Sequence, residues 1–94
     1  MRRSAFLFHH FPSQRERYTG EFAAELKETG HLELYTPKAW CILACTGIAR
    51  TISEALLEAG TPNTFEIVTT RLPRWAGPGT IHIYTMVFKL ERES

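Results

Sequence analysis

The sequence predicts a two-layer α/β domain of the α+β kind, in the order β-α-β-α-β-β, and three observations predict it. Two stretches repeat their apolar residues at helical spacing, and each stops at a glycine, Gly30 and Gly60. Short stretches rich in aromatic and β-branched residues flank both. A turn-rich decapeptide, RLPRWAGPGT (71–80), separates the last two of these stretches. The β-α-β connections are crossovers, which favours two helices on one face of a mixed four-stranded sheet, with a hairpin arm between the last two strands.

Each element has its own signal. AFLFHHF (5–11) reads as the first strand. Ser13 with Glu16 three residues later is a capping box, and the helix it opens aligns Tyr18, Phe22, Leu26 and Thr29 before Gly30. HLELY (31–35) is a strand with Leu32 and Leu34 on one face. Thr36 and Pro37 supply an N-cap and a first helical residue. Cys41, Cys45, Ile48, Ile52, Ala55 and Ala59 then form a helical seam that ends at Gly60. TFEIVTTRL and TIHIYTMVFKL close the chain as two strands. In the second, Ile81, Ile83 and Val87 lie on one face and Tyr84, Met86, Phe88 and Leu90 on the other. With both faces apolar, one is expected to cover the helices and the other a second copy, which predicts a homodimer.

At 94 residues the chain, 1–94, is read as a single domain, with 44% apolar and 22% charged residues as in ordinary globular proteins. No apolar run approaches the ~20 residues of a membrane span, so no membrane partner is expected. The N-terminal stretch lacks a small-residue cleavage site and is not read as a signal peptide. Two cysteines form no disulfide framework, which points to a reducing, cytoplasmic setting, nucleoid-associated if the ligand is DNA.

The sequence offers little for catalysis. Cys41 and Cys45 belong to an apolar seam and are read as core. His9 and His10 point to opposite faces of a strand, and His31 and His82 lack ligating neighbours at metal-site spacing. No phosphate loop, nucleophile elbow or carboxylate pair stands out. Glu21, Glu25 and Glu28 read as a solvated helix face. The expectation is a protein without enzymatic activity, metal or cofactor.

The basic residues carry more. The formal net charge of +1 conceals +3 over residues 1–17 and +3 over residues 67–89. A helix start carries partial positive charge and prefers acids. Here Arg15 and Arg17 occupy the first turn of one helix and Lys38 that of the other. Free N–H groups beside a cation make a phosphate seat. With both helices following strands, their first turns are expected on one side of the molecule, beside Arg71, Arg74 and Trp75 of the hairpin. Trp75 either packs on Pro73 or Pro78 and closes the turn, or is offered to bases and sugars. These six residues, Arg15, Arg17, Lys38, Arg71, Arg74 and Trp75, are the candidate nucleic-acid contacts. The alternative is a structural or protein-interaction subunit of a larger assembly.

From residue 31 to 91 the sequence resembles the Alba family of archaeal chromatin and RNA-binding proteins. The similarity runs through HLELY, the basic helix start at TPKAW, the helix CILACTGIARTISEALLEAG and the strands FEIVTTRL and TIHIYTMVFKLE. Residues 5–30 match in element order and in ELKETG. The resemblance implies a homodimer that grips duplex DNA or structured RNA with its first loop, here Ser13-Gln14-Arg15, its second-helix start, Pro37-Lys38, and two hairpin arms. The family typically has a lysine pair in the first loop, and an Arg- and Gly-containing turn at the second-helix start. Its arm is also longer. A specialised relative acting with a more basic paralogue is a further expectation. The C-terminal domain of translation initiation factor three and the sulfur-carrier proteins are similar small α/β modules, although the Cys-Pro motif of the latter is absent.

Overall fold

Both helices pack onto one face of the sheet. The structure, a computed structural model, describes residues 2–4, 15–35, 42–71 and 82–91. Its elements are β1 (Arg2–Ser4), α1 (Arg15–Thr29), β2 (His31–Tyr35), α2 (Ile42–Glu58), β3 (Asn63–Arg71) and β4 (His82–Leu90). The protein is α+β: two helices and a three-stranded antiparallel sheet, β2-β4-β3. The three residues of β1 lie parallel beside β2. The first strand expected at 5–11 falls outside the described residues. So do the Ser13 cap, Thr36, Pro37, Cys41 and the decapeptide from residue 72 onward.

Both helices stop where the glycines require it. Gly30 (φ 76°) and Gly60 (φ 83°) adopt the left-handed conformation that only glycine takes without strain. Gly60 donates to Leu57 O at 3.0 Å and Thr61 to Leu56 O at 2.9 Å, a Schellman pair, while Gly30 donates to Leu26 O at 2.7 Å.

Register explains the core. Leu32 and Leu34 of β2 pair with Phe88 and Met86 of β4, which pair in turn with Phe65 and Ile67 of β3. All six therefore share one sheet face. Phe22, Ala23 and Leu26 of α1 close on it with Ala49, Ile52, Ala55 and Leu56 of α2. Burying each large side chain contributes about 2 kcal/mol. Cys45 is buried, as expected. Two seam assignments need correction. Thr29 is exposed and donates to Glu25 O at 2.8 Å instead of facing the core. Ala59 lies past the helix end and is exposed, and Leu56 takes its place in the core.

The opposite sheet face differs from the apolar surface expected there. Val87 points away from the helices yet is only 7% exposed. Its cross-strand neighbours are Glu33 and Glu66, whose Cβ atoms stand about 5 Å away. The next row is His31, Lys89 and Thr64. Among the described residues this face carries Glu33, Glu66, His31, Lys89 and Thr64 beside Val87 and the exposed Val68, which is 41% accessible. Ile81 and the side chain of Ile83 lie outside the described residues. Among the described residues β3 ends the sheet, and one side of its nine-residue backbone has no strand beside it.

Candidate nucleic-acid interface

The sheet register locates two of the three basic elements at one end. β2 ends at Tyr35, opposite Thr85 of β4, and the β3–β4 ladder ends at Arg71 opposite His82. Residues 36–41 and 72–81 therefore leave from the same end of the sheet. The first segment contains Lys38 and leads into α2; the second contains Arg74 and Trp75. Lys38, Arg74 and Trp75 lie outside the described residues. The first turn of α2 contains no acidic residue, so nothing there offsets the positive end of the helix. Ile42 and Leu43 in that turn are exposed.

α1 begins elsewhere. Glu16, Thr19 and Gly20 from its first half line an open groove of about 490 Å³ with Ala55, Glu58 and Ala59 from the end of α2. The start of α1 thus lies against the carboxyl end of α2. With 17 residues α2 is about 24 Å long, which separates Arg15 and Arg17 from the start of α2. The expectation that both first turns share one side of the molecule is not met.

This placement gives the cations of α1 another role. α2 has no basic residue in its last turn and closes with Glu58. Cations near the negative end of a helix contribute a few tenths to about 1 kcal/mol, and the start of α1 brings Arg17 to that neighbourhood. Arg17 is 69% exposed, lies 3.7 Å from Glu21 and carries its guanidinium 5.9 Å from the centre of the Tyr18 ring. An exposed pair of this kind contributes little to stability.

Other side chains with chemistry are few. His31 Nε2 lies 3.1 Å from Glu33 Oε1, a partner that metal-ligand spacing did not suggest but strand alternation does, since residues two apart share a face. Glu25, expected on a solvated face, is half-buried. Among the described residues no three His, Cys, Asp or Glu side chains gather as metal ligands, and no helix is long and apolar enough to cross a membrane. Among the described residues the hydroxyls of Thr19 and Thr61 are buried without hydrogen-bond partners.

No family model, no curated protein and no solved structure matches the chain.

Proposed function

We propose that the chain is a non-catalytic nucleic-acid-binding protein, acting as a dimer on duplex DNA or structured RNA. The observation that carries this reading is the common departure of the α2 start and the β3–β4 hairpin from one end of the sheet, where α2 has no acid in its first turn. Lys38 and the free N–H groups of α2 seat a phosphate, while Arg71, Arg74 and Trp75 reach along the groove as an arm. Arg15 and Arg17 lie near the other end of α2 and are secondary contacts. The finer architecture belongs to this proposal: a mixed four-stranded sheet in the order β-α-β-α-β-β with a projecting arm, as in the Alba family. A more basic paralogue is an alternative partner to a second copy.

A titration of duplex DNA and structured RNA across salt concentrations tests the reading. The expected result is a linear fall of log affinity with log salt, its slope reporting several phosphate contacts. No detectable binding to either at ~50 mM salt, where phosphate contacts are strongest, overturns it.

A second reading, a protein-interaction subunit of a larger ribonucleoprotein assembly, is favoured by Leu43 at 80% and Leu57 at 61% exposure on α2. Trp75→Ala separates the two. Weaker nucleic-acid binding supports the first, and lost assembly with unchanged binding supports the second.

A further inference from the structure

The outward side of α2 has an unusual composition. Leu43, Gly47, Arg50, Glu54 and Leu57 follow one another at spacings of four, three, four and three, the repeat that holds one seam along a helix. All five are exposed, directly opposite the buried stripe through Cys45, Ala49, Ile52 and Leu56. Leucines at both ends of a solvent-facing seam are unexplained by the domain's own core. So is Gly47: a Cβ built on it meets nothing within 4 Å, and glycine inside a helix costs roughly 1 kcal/mol relative to alanine. A mid-helix glycine with no local reason allows another backbone to approach closely. Neither Arg50 nor Glu54 has an ion-pair partner among the described residues.

We propose that this seam is a two-fold interface on which α2 packs antiparallel against α2 of a second copy of the chain. The pattern is self-complementary, as an isologous contact requires. Two registers place leucines in the seam, and charge decides between them. Centring the axis on Arg50 sets the two arginines against each other. Centring it between Arg50 and Glu54 forms two reciprocal Arg50–Glu54 pairs and lays each Leu57 over the other copy's Gly47, so the second register is favoured. A single helix pair of this length buries less than the roughly 1,200 Å² of a standard interface. The dimer is therefore weak and concentration-dependent. It supplies an interface for the dimer of the preceding reading without depending on nucleic acid.

Sedimentation equilibrium of the full chain without nucleic acid, from micromolar to millimolar concentration, tests the proposal. Arg50→Glu and Glu54→Arg are each expected to weaken the dimer roughly tenfold, since every change acts twice and replaces attraction by repulsion. The double variant, Arg50→Glu with Glu54→Arg, restores it. Gly47→Leu, which the isolated domain accommodates in open space, abolishes it. Circular dichroism melts confirm that each variant is folded. A monomer at every concentration overturns the proposal, and so does a dimer indifferent to both reversals. A nucleic-acid titration that fails while the charge swap behaves as stated removes only the binding function.

Discussion

Ser53, two-thirds of the way along α2, donates its hydroxyl to Oδ1 of Asn63, the first residue of β3, at 2.6 Å. Asn63 answers by donating Nδ2 to Ser53 O at 3.2 Å and to Thr61 O at 3.0 Å. One amide thus ties the helix, the turn after it and the strand together. Asn63→Ala removes all three bonds and is expected to cost about 1–3 kcal/mol in urea unfolding. Ser53→Ala is expected to cost less, and a double-mutant cycle should return a coupling of roughly 1 kcal/mol. Additive effects would show that the clamp is not cooperative.

Thr61, between those partners, is fully buried and its hydroxyl has no partner. Its backbone N–H is already held by Leu56 O. Thr61→Val keeps the shape and removes a desolvated polar group, so stability is expected to rise by up to ~1 kcal/mol. A clear loss would mean that the hydroxyl is satisfied in solution.

Gly20 lies within α1, is exposed, and leaves open space where a Cβ would stand. Gly20→Ala is expected to raise stability by about 0.5–1 kcal/mol, through helix propensity and a less flexible unfolded chain. A lower melting temperature would reveal a close contact there.

Arg17 and Lys38 were equivalent in the sequence. The start of α1 lies by the carboxyl end of α2, whereas Lys38 precedes the start of α2 in the chain, so the proposed function gives them unequal weight. Lys38→Ala is expected to weaken nucleic-acid binding and flatten the salt slope by roughly one unit. Arg17→Ala is expected to flatten that slope by clearly less than one unit and to shift stability by less than ~0.5 kcal/mol. Equal changes in slope would contradict the division.

The legible parts of the fold were those set by local periodicity and by glycine. Gly30 and Gly60 marked both helix ends because a left-handed residue leaves few alternatives. Phe22, Leu26, Ile52, Met86 and Phe88 were readable as core from their spacing. Less legible were features that depend on where elements meet. Thr29 has core spacing, but sits at a helix end where its hydroxyl reaches back to Glu25. The placement of α1 against the end of α2 is a tertiary choice that no local rule gives. Arg15 and Arg17 therefore looked like phosphate seats by their position in α1, although the neighbouring end of α2 supplies a negative pole. Val87 read as exposed from its strand position, yet it is only 7% exposed, because burial on a sheet surface depends on the neighbouring strands. The outward seam of α2 was present in the numbering, but only exposure distinguished it from the inward one.

β3 leaves one side of nine consecutive residues open to pairing, and most of that strand is aromatic, branched or hydroxylated. Such a border invites further chains to add on and grow without limit. From Asn63 to Thr70 its one formal charge is Glu66. An incoming copy centred on Glu66 would bring a second carboxylate directly across, a like-charge contact that penalises pairing. Glu66, which lies beside Val87 on the sheet surface, therefore stands where a carboxylate most penalises edge-to-edge pairing, and an uncharged residue there is expected to make the border stickier.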